Sequence, residues 1–178
     1  MIAKKQALRE RLWAITPANQ TTKDNAIFAN LTNLPAFKDA KSIYIFLSKE
    51  REPSTNEIIA HCFKMGKRVG VPVIDKKEMF FSEIFANTHF VIRELGIREP
   101  KTPIINNALP DIIIVPMVAY DNNKGRLGHG KGYYDKYLAN KDILKVGISY
   151  TDFCVDTVYA DRHDVPMDII VTDGGIIV

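Results

Sequence analysis

The chain has 178 residues, of which 46% are hydrophobic and 25% charged; at that length one domain is expected, burying roughly 70% of the unfolded surface, so no disulfide or structural metal is needed to hold a core. Its 24 basic and 21 acidic side chains leave a net charge of +3, too small a surplus to imply a nucleic-acid surface. No apolar run approaches the ~20 residues of a membrane span.

Ile2 to Ile15 places Leu8, Leu12 and Ile15 at helical spacing, with Trp13 expected in the core, and Thr16-Pro17 ends the pattern. Gln6, Arg9, Glu10 and Arg11 interrupt any apolar signal region. A second helix is expected over residues 22–34, with Ile27, Leu31 and Leu34 on one face. "SIYIFL" (Ser42 to Leu47) has the aromatic and β-branched content of a buried strand. The polar loop "SKEREPSTNE" follows, in which Ser54 and Glu57 have capping-box spacing and predict a helix from about Thr55 to Met65. Gly66 stops it, and "RVGVPV" (Arg68 to Val73) closes a βαβ unit.

"MFFSEI" (Met79 to Ile84) reads as a further strand or hairpin, and residues 96–110 as irregular. "DIIIVP" (Asp111 to Pro116) is the most apolar strand and should be central. A glycine-rich loop, a helix from about Tyr133 to Asn140 and the strand "KVGIS" (Lys145 to Ser149) make a second βαβ unit. "DIIVTDGGIIV" reads as two strands about a turn. No internal repeat or linker divides residues 1–178. The fold class is therefore α/β, a single-domain open and mostly parallel sheet with helices on both faces. Such sheets bind ligands at the carboxyl ends of their strands, where residues 48–53 and 121–132 form two long polar loops.

Cys62 and Cys154 belong to no metal or redox spacing and read as buried free thiols in a reducing, cytoplasmic compartment. His61, His89 and His163 form no ligand pattern.

The loop "GRLGHGKGYYD" (Gly125 to Asp135) carries the chemistry. It uses four of the chain's ten glycines, at 125, 128, 130 and 132. Glycines allow backbone N–H groups to approach a ligand, and Arg126, His129 and Lys131 add cations ahead of a helix N-terminus. The combination points to a phosphate cradle rather than a solvated turn. A Walker A loop is excluded, because Gly132 stands where a magnesium-binding Ser or Thr is required. A dinucleotide fingerprint fails too, because the spacing is G-x-G-x-G. Asp135 suits a helix-dipole carboxylate or a magnesium ligand, and Asp161, Asp164 and Asp168 in "DRHDVPMD" are equal candidates for a second carboxylate. Lys5 and Arg9 share a helix face and could reach a polyphosphate or simply face solvent.

These residues resemble the 5-formyltetrahydrofolate cyclo-ligase family. The strongest match is "GRLGHGKGYYDKYL" after "DIIIVPMVAYD", supported by Lys5-x-x-Leu8-Arg9, "SKERE", "RVGVPV", "LGIREP" and "HDVPMDIIVTD" in the family's order. The resemblance implies ATP-dependent cyclisation of 5-formyltetrahydrofolate to 5,10-methenyltetrahydrofolate, with ADP and phosphate released. It implies that ATP binds Lys5 and Arg9 together with Arg126, Leu127, Gly128 and His129. Gly130, Lys131, Gly132, Tyr133 and Tyr134 complete that set. Leu47 and Glu52 would border the folate with His129, Gly130, Lys131, Gly132 and Tyr133. Asp135 and Asp164 would hold Mg²⁺, and Arg126 or Lys131 would stabilise the transferring phosphoryl group. Tyr120 and Lys136 stand where many relatives have Phe and Arg. The implied partners are small molecules, with no nucleic acid, membrane or obligate protein partner. The competing readings are a nucleotide- or RNA-binding module and a different small-molecule kinase or ligase using the same loop.

Overall fold

A computed structural model describes residues 1–93 and 96–178. Helices α1 (Ile2–Trp13), α2 (Gln20–Asn33) and α3 (Pro35–Asp39) lead into β1 (Ser42–Ile45), α4 (Asn56–Lys64) and β2 (Arg68–Asp75). Next come β3 (Glu78–Ile84), β4 (Phe90–Ile92), β5 (Arg98–Pro100), β6 (Ile112–Pro116), β7 (Ala119–Tyr120) and β8 (Arg126–Leu127). The chain ends with α5 (Tyr133–Leu138), β9 (Leu144–Ile148), β10 (Ile169–Thr172) and β11 (Gly175–Ile177).

The main sheet runs β11-β10-β9-β6-β1-β2-β3, so the most apolar strand, β6, is the middle one. The five inner strands are parallel, and β3 and β11 pair antiparallel at the two edges. Both expected βαβ units are present, as β1-α4-β2 and β6-α5-β9. The β2–β3 hairpin turns through Lys76 and Lys77, both with positive φ (46° and 68°), which matches the right-handed strand twist.

Side chains of successive strand residues point to opposite faces, and the core divides accordingly. Ile43 and Ile45 of β1 and Ile112 and Ile114 of β6 pack with buried residues of α1, α2, α3 and α4. Tyr44, Ile113 and Val115 face the other way, with Phe81 and with Leu138 of α5. Helices thus cover both faces, but unequally. Among the described residues, no helix is long and apolar enough to cross a membrane.

Several local expectations need correction. Trp13 is 69% exposed, because α1 turns Leu8 and Leu12 to the core and leaves the indole under the Arg51 guanidinium, 4.8 Å from its ring. Cys62 is buried but Cys154 is exposed, lying just past the buried Phe153 in an irregular segment. The N-cap of α4 is Thr55 rather than Ser54, and it makes no side-chain capping bond; its hydroxyl accepts the Ser48 N–H instead (3.1 Å). The stretch from residue 96 is not wholly irregular, since β5 pairs with β4. Leu95, the first residue of the "LGIREP" match, lies outside the described residues.

Candidate active site

The strand order reverses between β1 and β6, where the chain first builds outward to β2 and then returns to build toward β9. At the carboxyl ends of these strands lies a cavity of about 500 Å³, a size suited to small-molecule binding. Its apolar wall includes Phe46, Leu47, Ile74, Met79, Ile97 and Pro116. Its polar wall is built from α1, the Glu52 loop, the glycine-rich segment and the 161–164 turn.

The glycine-rich segment is not a uniform loop. Arg126 and Leu127 are β8, paired with β7, and Asp121 fastens this hairpin by accepting the N–H groups of Asn123, Gly125 and Val158 at 2.9–3.1 Å. The four glycines serve different needs. A Cβ at Gly125 would lie 2.9 Å from the Asp121 carboxylate, and one at Gly128 would lie 2.7 Å from the Arg126 guanidinium. Gly130 and Gly132 have φ of +96° and +68°, the left-handed region that side chains disfavour. α5 is only six residues long, so its dipole is a small contributor and the positive potential rests on side chains.

Those side chains converge from distant parts of the chain. Arg126 is buried and its Nη2 donates to Asp135 Oδ1 at 2.6 Å, while the Val165 N–H donates to the same oxygen at 3.1 Å. Lys5 Nζ donates to Asp161 Oδ2 at 2.9 Å and also to Asp164 Oδ2. Arg9 Nε donates to the Gly128 carbonyl at 2.8 Å. Lys131 is exposed and makes no ion pair with the described residues. On the opposite wall, Glu52 Oε2 accepts the Lys49 N–H (2.8 Å) and Oε1 lies 3.0 Å from His129 Nε2.

Burial opposes the charge on Lys5, but hydrogen bonds and charge contacts with Asp164 and Asp161 outweigh it and hold its pKa above the ordinary lysine value. The Lys5 hydrogen bond, with the His163 N–H, holds Asp161 below the usual carboxylate value. Burial pushes the Tyr134 phenol up, leaving it a neutral donor. Its hydroxyl and Arg126 Nε are buried polar atoms with no hydrogen-bond partner among the described residues. Both residues line the cavity, and such orphaned donors are what a bound anion would satisfy.

The site residues that the family resemblance implies all border this one cavity: Lys5 and Arg9 from α1, Leu47 and Glu52 after β1, the run from Arg126 to Asp135, and Asp164. Asp168 does not; its carboxylate accepts the Lys145 N–H at 2.7 Å and pairs with Lys145 Nζ at 2.8 Å. Asp161, left open by spacing alone, does line the cavity and shares Lys5 with Asp164. The sequence signal for Asp161 is its three-residue spacing to Asp164 in a turn, where the Asp161 N–H donates to Asp164 Oδ2 at 2.7 Å. The signal for Asp121 is the Asx-turn sequence "DNNKG".

The donor set fits Mg²⁺. Asp135 and Asp164 each use one carboxylate oxygen in the contacts above, and their other oxygens bond no described protein group. Among the described residues, no three His, Cys, Asp or Glu side chains cluster tightly enough to hold a metal alone. That suits an ion that takes one or two carboxylates and completes its shell with water and substrate phosphates.

Comparison with known proteins agrees with the geometry. Residues 2–173 match the model of the 5-formyltetrahydrofolate cyclo-ligase family. The 5-formyltetrahydrofolate cyclo-ligase of Escherichia coli K12 is 30% identical over 175 residues, covering 93% of this chain and 96% of its own. That of Haemophilus influenzae is 31% identical over 183 residues, covering 94% and 97%. The solved structure of Aquifex aeolicus 5,10-methenyltetrahydrofolate synthetase superposes with a TM-score of 0.84 at 28% identity, covering 97% of this chain and 91% of that one.

Proposed function

The chain belongs to the 5-formyltetrahydrofolate cyclo-ligase family, a family of enzymes, and from that premise we propose that it converts 5-formyltetrahydrofolate to 5,10-methenyltetrahydrofolate using ATP and Mg²⁺. The observation that carries this reading is the joining, in one cavity, of a cationic wall and an apolar wall that carries one carboxylate. Lys5, Arg9, Arg126 and Lys131 form the first, which suits a polyphosphate. Phe46, Leu47, Met79 and Ile97 form the second with Glu52, which suits a pterin whose ring N–H groups need an acceptor.

This arrangement supports the following order of steps. The formyl oxygen on folate N5 attacks the γ-phosphorus of ATP, the bond to ADP breaks, and an iminium phosphate forms. N10 then attacks the formyl carbon, phosphate leaves with the former formyl oxygen, and N10 gives up its proton as the methenyl bridge closes. Phosphoryl transfer asks mostly for positioning and charge neutralisation. Lys131 is the exposed cation, with no ion pair among the described residues to hold it from the transferring group, and Arg126, held by Asp135, is the fixed one. Asp135 and Asp164 would hold Mg²⁺, which supplies further charge neutralisation at the phosphates. The apolar wall keeps water from the activated formyl carbon.

The test is near-UV absorbance of the purified protein with 5-formyltetrahydrofolate, ATP and Mg²⁺, which follows the methenyl chromophore. Growth that needs all three components is expected. A flat trace with intact ATP binding would discard the folate assignment and retain the phosphate site.

A further inference from the structure

The loop that presents Glu52 to the cavity is held with unusual completeness from beneath. Tyr150 follows β9 at the carboxyl edge of the sheet, is fully buried, and donates its one hydroxyl proton to Asp24 Oδ1 on α2 at 2.7 Å, with the Glu52 carbonyl oxygen at 3.3 Å as the weaker, shared acceptor. Asp24 Oδ1 also accepts the Ser54 N–H at 3.0 Å. One phenol and one carboxylate, from elements far apart in the chain, therefore grip the backbone on both sides of Pro53. The loop's ends are tied by reciprocal bonds, Ser48 N–H to Thr55 Oγ1 (3.1 Å) and Thr55 N–H to Ser48 Oγ (3.2 Å). Arg51, next to Glu52, has a left-handed backbone (φ +75°) and donates from Nη2 to the Leu12 carbonyl (3.1 Å) and to the Ile15 carbonyl. A non-glycine residue keeps such a backbone only where surrounding contacts over-determine it.

The Tyr150 ring belongs to the core, but the polar contacts of its hydroxyl and of Asp24 are spent on the loop. The contacts converge on where the Glu52 backbone sits, and through the Lys49 N–H on where its carboxylate points. We infer that Tyr150 and Asp24 are positioning residues for Glu52, acting through the Glu52 carbonyl and the Ser54 N–H to hold its carboxylate ready for the folate ring. This rests on the reading of Glu52 as a folate contact. A carboxylate fixed before binding avoids the ordering cost a mobile loop would impose on the substrate, so the network acts on folate affinity rather than on phosphoryl transfer.

Steady-state kinetics of full-length Tyr150→Phe and Asp24→Ala test it. Tyr150→Phe is expected to raise KM for 5-formyltetrahydrofolate about 3- to 10-fold, the effect of one lost hydrogen bond, and Asp24→Ala, which loses two, by at least as much, with kcat and KM for ATP within about twofold of the parent in both. The double variant is expected to be no worse than the poorer single one, because both act through one network. A purely structural role would lower Tm and leave both KM values alone, and a normal folate KM in a folded Tyr150→Phe protein overturns the inference. Because Asp24 is only partly buried, Asp24→Ala supplies the same readout if Tyr150→Phe folds poorly. Glu52→Gln separates the two possible failures. A normal folate KM there overturns the folate role of Glu52 and this inference with it, whereas a raised one beside a normal Tyr150→Phe overturns the inference alone.

Discussion

Arg126 and Asp135 are nine residues apart and meet at 2.6 Å, the guanidinium 3% exposed and the carboxylate 20%. Removing one member of a buried pair leaves the other uncompensated. Because Asp135 keeps the Val165 N–H and some solvent, Arg126→Ala is expected to lose about 1–3 kcal/mol of stability, read as a lower Tm, together with a roughly 10²–10³-fold fall in kcat.

Lys131→Ala should separate these two effects. Lys131 is exposed and unpaired among the described residues, so its loss should change stability by no more than about 0.5 kcal/mol while lowering kcat by a similar roughly 10²–10³-fold. Near-normal turnover in both variants would remove the cations from the phosphoryl-transfer step.

For the metal, Asp135→Asn and Asp164→Asn are each expected to raise the Mg²⁺ concentration for half-maximal activity about tenfold or more, roughly 1.4 kcal/mol of affinity. They should also weaken Mn²⁺ binding to the protein–ADP complex, followed by electron paramagnetic resonance. Asp168→Asn, whose carboxylate is committed to Lys145, should leave both quantities unchanged. An unchanged Mg²⁺ requirement in either of the first two variants assigns that residue to ion pairing alone.

The Lys5 bridge to Asp161 and Asp164 makes stability depend on pH at both extremes. Lys5 is raised in the fold, so its contribution is complete below its unfolded value of about 10.5 and is lost as pH rises through the higher folded value. Asp161 is lowered, so its contribution is present above about 3.8 and is lost as pH falls through the lower folded value. The Tm difference between the parent and Lys5→Met should therefore be flat from about pH 5 to pH 9 and shrink outside that window. A difference that varies within the window would show that Lys5 is not held in this way.

The two cysteines should behave differently. Burial pushes Cys62 up to about 11, so it is both inaccessible and un-ionised, whereas Cys154 is exposed. A thiol reagent at pH 8 is expected to label one cysteine rapidly in the folded protein and the second only on unfolding. Two rapid equivalents would contradict the burial of Cys62.

Much of the fold was legible in the residues because it is locally encoded. The apolar run of β6 marked the central strand, the βαβ spacings marked parallel pairing, and the glycine-rich segment marked one wall of the cavity. What was misread was decided by contacts distant in the chain. Trp13 has the composition of a core residue, but its place on α1 turns it outward beneath Arg51. Ser54 and Glu57 have capping spacing, yet Thr55 takes the N-cap and spends its hydroxyl on Ser48. Arg126 and Leu127 lie in what reads as loop, but pairing with β7 makes them a strand.

By itself the sequence determined the α/β class, the central place of β6, the two βαβ units and the family, because periodicity and motif spacing are properties of neighbouring residues. Tertiary structure alone decided which polar groups meet. Lys5 reaches Asp161 across 156 positions, Arg9 reaches Gly128 across 119, and Tyr150 reaches Asp24 across 126. No local pattern predicts such pairs, since each exists only because the sheet's switch point draws α1, the Glu52 loop and the 161–164 turn to the same carboxyl edge. Charges brought together there, partly shielded from water, interact far more strongly than the same charges along an open chain.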